Sequence, residues 1–206
     1  LQEYAKGLSP QQLAEVLLQS LGLEYGEAYG PSHYSRMNRR VLQHALHVHS
    51  QAGKGEITSF RQLEGILQQD LDDLKWDERK DATDVFAVIE SLARLDSINV
   101  TQDDVDAGRV TQRAFDASID MGSFLQTPQV GYFYFSSTLE TSTVRELSKL
   151  VLFSLLTAAD TIERQHGPGH RVYVVIDEFQ QIIANNLELV LRQARSKNIS
   201  CILANQ

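Results

Sequence analysis

Residues Arg171–Glu178 constrain the fold most strongly, because an apolar run ends there in two adjacent carboxylates. The run reads Val-Tyr-Val-Val-Ile, which is typical of a strand buried on both faces of a parallel sheet. Asp177 and Glu178 follow it at the carboxyl end of the strand, where open α/β sheets bind their ligands. One carboxylate can hold Mg²⁺ through its water shell, and the other can orient or deprotonate a water molecule. In a plainer role the two acids only end the strand and cap a following helix.

This strand with its two terminal acids has the Walker B pattern of nucleoside triphosphatases that contain a phosphate loop. The loop itself, Gly-x-x-x-x-Gly-Lys-Ser/Thr, does not occur in the 206 residues. The sequence therefore predicts part of a nucleotide-binding domain without the segment that grips the phosphates.

The residues after about position 118 alternate between predicted strands and helices. Short strands are expected at Ser118–Met121 and Gly131–Ser136, followed by a long helix over Thr141–Gln165. After the Walker B strand come a helix over Leu187–Lys197 and an apolar strand over Ile199–Ala204. This alternation predicts a parallel sheet with right-handed crossovers.

Two polar groups near that last strand are candidates for nucleotide chemistry. Asn205 and Gln206 end the strand, and a carboxamide there can contact a γ-phosphate or the attacking water, or be simply a polar strand end. Arg195 lies near the end of the preceding helix. It can reach across a subunit interface to stabilise transition-state charge, or it can merely complement the helix C-terminus.

Residues 1–117 read as an all-α domain. Four helices are expected, beginning near Pro10, Ser35, Ser59 and Glu78. Residues 1–120 carry 12 Lys and Arg against 20 Asp and Glu, whereas residues 121–206 carry 7 of each. The two parts therefore differ in charge, and the net charge of −8 argues against a generally basic nucleic-acid binder.

The second helix carries a row of basic residues on one face. Arg36, Arg39 and Arg40 recur with Gln43, His44 and His47 at steps of three and four, so the row can touch DNA phosphates. A solvated helix face explains the same pattern, and the histidines also admit a metal site. The acidic run Asp70–Asp81 is either a solvated helix end or a dock for a basic partner.

The carboxyl-terminal motifs together resemble those of type IV secretion coupling proteins. The matching segments are Val-Tyr-Val-Val-Ile-Asp-Glu-Phe, Ala-Arg-Ser-Lys-Asn and Ile-Ser-Cys-Ile-Leu-Ala-Asn-Gln, within residues 129–206. These proteins are conjugative DNA-transfer ATPases of the TraG/TraD type, in the FtsK/HerA group. The resemblance implies a RecA-like parallel sheet in residues 118–206, with residues 1–117 as an inserted all-α domain.

The resemblance also assigns roles to individual residues. Asp177 becomes the Mg²⁺-side aspartate, Glu178 the catalytic glutamate, Arg195 the arginine finger and Gln206 the glutamine of the sensor motif. The family forms hexameric rings at the cytoplasmic face of the bacterial inner membrane, with ATP between subunits and DNA through the centre. Expected partners are DNA or a relaxase–DNA complex, secretion-channel proteins and further copies of the chain.

The missing phosphate loop limits what this chain is expected to do alone. We expect the loop and any membrane anchor to lie outside this sequence, which begins with Leu and has no apolar run of bilayer length and no signal peptide. The fragment is then soluble and inactive, with ATP and Mg²⁺ bound only in the intact parent. Two alternatives remain: a helical module that binds a substrate or adaptor on a nucleotide-binding scaffold, and a related secretion-assembly or HerA-like ring ATPase.

Overall fold

The computed structural model describes the protein in eight stretches, which are residues 8–23, 29–71, 82–116, 119–135, 141–167, 169–179, 191 and 194–204. The chain divides into two compact units, Leu1–Ser118 and Ile119–Gln206. The first unit is helical in its described part, and the second combines helices with a two-stranded parallel sheet.

Six α-helices and one 3₁₀ turn make up the described part of the first unit. The helices are α1 (Pro10–Leu21), α2 (Tyr29–Gln51), α3 (Phe60–Leu71), α4 (Thr83–Ala93), α5 (Gln102–Asp106) and α6 (Gln112–Asp116), with the 3₁₀ turn at Asp96–Ile98. Helix α1 packs against α2, and α3 packs against α4. The four predicted helices are thus confirmed as elements.

Helix α1 begins and ends where its sequence predicts. The Ser9 Oγ accepts a hydrogen bond from the Gln12 N–H at 3.3 Å, and the Gln12 side chain accepts one from the Ser9 N–H at 2.9 Å. This reciprocal pair satisfies two backbone donors that the first turn cannot use internally. Gly22 ends the helix in the left-handed region, at φ 67°.

One predicted helix start differs from the structure. Helix α2 begins at Tyr29 rather than near Ser35, so Gly30 and Pro31 lie in its first turn and not in a linker. A proline is compatible with that position, because the first backbone N–H groups of a helix have no internal partner. Helix α4 begins at Thr83 among the described residues, and the predicted start near Glu78 lies outside them, as does most of the acidic run after Leu71.

Asn99 joins the start of α3 to the end of α4 from a fully buried position. Its Oδ1 accepts hydrogen bonds from the N–H groups of Phe60 at 2.8 Å and Arg61 at 3.3 Å. Its Nδ2 donates to the carbonyls of Leu92 and Leu95, both at 2.7 Å. One side chain therefore caps two helix ends of opposite polarity. It supplies the acceptor for N–H groups at the start of α3 and a second donor for carbonyls at the end of α4, which also accept from backbone N–H groups.

The second unit builds its core on one face of a small sheet. Its elements are α7 (Met121–Gln126), α8 (Thr141–His166), β1 (Val172–Ile176) and β2 (Ile199–Leu203). Strands β1 and β2 pair in parallel. Leu155 and Leu156 of α8 pack with Met121, Ala194 and Ile199, and Val172, Val174 and Cys201 add the covered face of the strands.

The opposite face of the sheet is exposed, which corrects the prediction of strands buried on both faces. The side chains of Tyr173, Val175 and Ile202 are 63%, 67% and 52% exposed. A strand is buried on both faces only where other elements pack against both sides of its sheet. Among the described residues, that second layer is not provided.

Two predicted strands near the start of this unit are also wrong. The chain around Met121 forms α7 instead, because the Asp120 carboxylate accepts a hydrogen bond from the Ser123 N–H at 3.0 Å and caps a helix. The described residues of the Gly131–Ser136 segment lie outside any strand, and Tyr132 and Tyr134 are exposed. β-propensity alone does not make a strand, since a strand also needs a neighbour with which to pair.

We expect Asn99→Ala to destabilise the first unit by roughly 1–3 kcal/mol, because the buried Phe60 N–H loses its partner and the carbonyls of Leu92 and Leu95 each lose one of two donors. Urea denaturation followed by circular dichroism measures the change. Gln102→Ala, at a nearby exposed position, is the matched control and should change the stability by less than about 0.5 kcal/mol. Equal effects of the two substitutions would contradict the role of Asn99.

We expect acid to remove a contribution to stability that depends on Asp104. The N–H and hydroxyl of Thr101 and the guanidinium of Arg109 bond this carboxylate and lower its pKa from 3.8 to about 2. Because the folded pKa lies below the ordinary value, the stabilisation is complete above about pH 4 and is lost as the pH falls towards 2. Over that range, the free energy of unfolding should fall less in Asp104→Asn than in Asp103→Asn. Identical pH profiles of the two variants would refute this.

Candidate functional site at the carboxyl edge of the sheet

The parallel pairing of β1 with β2 brings the ends of the two strands together. Ile176 lies opposite Leu203 in the register, and the Ala204 N–H donates to the Ile176 carbonyl at 2.9 Å. Asp177 follows Ile176 directly, so the first acid and the end of β2 occupy one edge of the sheet. Asn205 and Gln206 lie outside the described residues, and Ala204 immediately precedes them.

A tight turn holds the two acids against the end of β2. The Phe179 N–H donates to the Ala204 carbonyl at 3.2 Å, which ties the residue after the acids to the neighbouring strand. Within the turn, the Glu178 N–H donates to the Asp177 Oδ1 at 3.0 Å. Glu178 has a φ of 50°, in the left-handed region that residues other than glycine adopt at a cost. Strained residues of this kind are concentrated at functional sites.

The acids are placed suitably for a hydrated divalent cation. Asp177 is exposed and Glu178 is half-buried at the carboxyl edge. Mg²⁺ keeps several of its waters and takes one or two carboxylates together with substrate phosphates, so this pair fits it without a further protein ligand. The described residues contain no group of three or more His, Cys, Asp or Glu placed to enclose a metal ion.

Arg195 lies at the opposite, amino edge of the same sheet. It lines a cavity of about 270 Å³ together with His170, Val172 and Asn198, which lie at the start of the strands or within two residues before it. The Val172 N–H donates to the Asn198 carbonyl at 3.1 Å at this edge. A strand of five residues spans about 16 Å. One copy of the chain therefore does not bring Arg195 together with Asp177 and Glu178.

Lys197 fixes the segment that carries Arg195, a contact that the sequence reasoning missed. Its ammonium bonds the Glu163 carboxylate at 2.9 Å and also pairs with Asp160, both on α8. The hydrogen bond from Lys197 is the main cause that lowers the pKa of Asp160, and the bond to Asp160 in turn raises the pKa of Lys197. In the sequence, the only sign of this contact was the i,i+3 spacing of Asp160 and Glu163. That spacing did not indicate that Lys197, 34 residues after Glu163, is their partner.

The basic residues of α2 separate into two groups. Arg39 turns towards α1, where its Nε lies 2.8 Å from the Glu15 carboxylate. Arg36 and Arg40 are exposed, and they line a hollow of about 380 Å³ with the other residues of the row and with Gln11 of α1. Of the three arginines predicted to contact DNA, Arg39 thus contributes to helix packing.

The histidines of α2 do not gather into a metal site within the described residues. His44 and His47 line the hollow, whereas His49 is buried. Two imidazoles without a third ligand fall short of the donor set of a structural zinc site.

Comparison of the chain with protein-family models, with curated proteins and with solved structures finds no match in any of the three. A functional assignment therefore depends on the residues and contacts described above. In the part of the chain that the structure describes, no helix is long and apolar enough to cross a bilayer.

We expect Glu178→Gly to raise the free energy of unfolding of the second unit, by up to about 1 kcal/mol, because glycine adopts a positive φ without steric cost. Asp177→Gly is the matched control. It removes the hydrogen bond to the Glu178 N–H and should lower stability by roughly 1 kcal/mol. Thermal or urea denaturation measures both variants, and destabilisation by Glu178→Gly as large as that of Asp177→Gly would show that the turn is unstrained.

Proposed function

We propose that this chain is part of a DNA-translocating ring ATPase of the conjugative coupling type. In this proposal, Asp177 and Glu178 form the acidic half of its nucleotide pocket. The observation that carries the proposal is the turn in which the Phe179 N–H and the Ala204 carbonyl join the acids to the end of the next strand. The sequence resemblance over residues 129–206 supports the same assignment.

Each acid has a distinct role in the proposed pocket. Asp177, the more exposed carboxylate, accepts hydrogen bonds from water in the shell of Mg²⁺, which supplies charge neutralisation at the phosphates when it is bound. Glu178 orients the attacking water and accepts its proton. Gln206 lies outside the described residues, and the resemblance assigns it a contact with the γ-phosphate or with that water.

The proposal requires a phosphate loop, and the 206 residues do not contain one. The 206-residue chain by itself is therefore expected not to turn over MgATP. Activity belongs to a longer polypeptide in which a loop lies beside the acidic edge of the sheet. DNA or a relaxase–DNA complex is the proposed cargo, and secretion-channel proteins are the proposed recipients.

The position of Arg195 supports action between subunits rather than within one. Because the arginine and the acids lie at opposite edges of the sheet, a site that uses both must take them from two copies. The Lys197 contacts with α8 hold the segment that presents Arg195 to such a neighbour. An arginine supplied in this way stabilises the charge that develops on the transferred phosphoryl group.

We expect Glu178→Gln and Arg195→Ala each to lower hydrolysis by the longer, loop-containing polypeptide by roughly 10²-fold or more, without loss of MgATP binding. When the two variants are mixed, part of the activity should return. Mixed assemblies contain sites in which an intact Glu178 faces an intact Arg195 from the other variant. Phosphate release and nucleotide-binding titrations measure the two properties.

The control is Asp103→Asn, which replaces an exposed carboxylate in the helical unit and should leave hydrolysis unchanged. Full activity of Glu178→Gln would remove this residue from catalysis. A loss by each single variant that mixing does not restore would show that Arg195 does not act across a subunit boundary.

A further inference from the structure

Helix α2 has a charge unlike that of the unit in which it lies. Residues 1–120 are strongly acidic, yet the 23 residues of α2 include three arginines and four histidines and no Asp or Glu. A long helix without a single acid in such a background concentrates positive potential on its surface. The described contacts show where on the helix that charge is exposed.

Four exposed basic residues form one row along α2, defined here as the basic stripe: Arg36, Arg40, His44 and His47. Their spacing of four, four and three residues keeps them on one face, and the row is about 16 Å long at 1.5 Å per residue. Arg39 also lines the hollow, but it is less exposed than these four residues and pairs with Glu15 between α1 and α2. The arginine–glutamate pair instead holds α1 beside the stripe.

The hollow beside the stripe has the chemistry of an anion site. It measures about 380 Å³, and none of its seven lining residues is apolar. Gln11 and Gln43 add amide groups to the guanidinium and imidazole groups of the stripe. Guanidinium groups bind phosphate oxygens in a bidentate way, and glutamine amides donate to phosphates as well.

We propose that the basic stripe binds the phosphate backbone of a nucleic acid, and that it does so without nucleotide and without the acidic edge of the sheet. Two guanidinium groups one helical turn apart, with imidazole and amide groups beside them, fit a ligand with regularly repeated negative charges. An acidic protein surface fits less well, because protein interfaces centre on apolar or aromatic anchors and the hollow contains none. Contacts to phosphates carry no base recognition, so binding is independent of sequence.

Fluorescence anisotropy with a short mixed-sequence oligonucleotide, single-stranded or duplex, tests the proposal on the 206-residue chain over a series of salt concentrations. The test variant is Arg36→Ala/Arg40→Ala. Its matched control is Arg94→Ala/Arg113→Ala, which removes the same charge from two exposed positions of the same unit, one directly after α4 and one in α6. Circular dichroism of both variants establishes that they fold.

The test variant should lose about tenfold in affinity at low salt. Its slope of log affinity against log salt should become shallower by about 1.4 for single strands or 1.8 for duplex, whereas the control should match the unchanged chain. The proposal is overturned if the chain does not bind the oligonucleotide, or if the two double variants weaken binding equally. It is also overturned if polyglutamate binds more tightly than the oligonucleotide with the same dependence on Arg36 and Arg40.

This proposal and the proposed ATPase function fail separately. Oligonucleotide binding by the 206-residue chain needs neither ATP nor a phosphate loop, so its absence leaves the roles of Asp177 and Glu178 untouched. Conversely, a catalytically silent Glu178 would not alter the salt dependence of binding at α2.

Discussion

The hydrogen-bonded pairing of β1 with β2 is the contact on which the candidate site depends. Its register sets Ile176 beside Leu203, and one further hydrogen bond on each side of the acids joins the turn to Ala204. A shift by one residue would exchange the covered and exposed faces of a strand and separate the acids from the end of β2. Strand pairing thus provides both the scaffold and the catalytic geometry that we propose, while Lys197 secures the other edge through α8.

Burial of the core and the positive φ at Glu178 have opposite effects on the stability of this region. The covered face of the sheet stabilises the strands through Leu155, Leu156 and Ile199, whereas the turn at their ends holds its second acid in an unfavourable backbone conformation. A rigid pair of strands can support such a turn, because both of its ends are hydrogen-bonded to β2.

Features encoded within a few residues were predictable from sequence, and those that depend on distant contacts were not. The Ser9 and Gly22 caps and the strand at Val172–Ile176 follow from local pattern, and the adjacency of the two strand ends followed from the parallel connection. The prediction of a strand at Gly131–Ser136 was wrong. The aromatic residues of this segment indicate β-propensity, but they do not show whether another strand is available to pair with it. Helical periodicity placed Arg39 with Arg36 and Arg40, but only the contact with Glu15, 24 residues away, shows that it packs between helices.

The cap formed by Asn99 has a consequence for how the helical unit can change in length. This amide closes the open end of the α3–α4 pair, so the ends of the connection between Leu71 and Thr83 are positioned by contacts outside that connection. Doubling such a connection costs only about 0.6 kcal/mol of closure entropy. New sequence inserted between Leu71 and Thr83 would leave in place the contacts that hold the helix pair, so this connection suits the grafting of a peptide tag or the acquisition of a new binding segment.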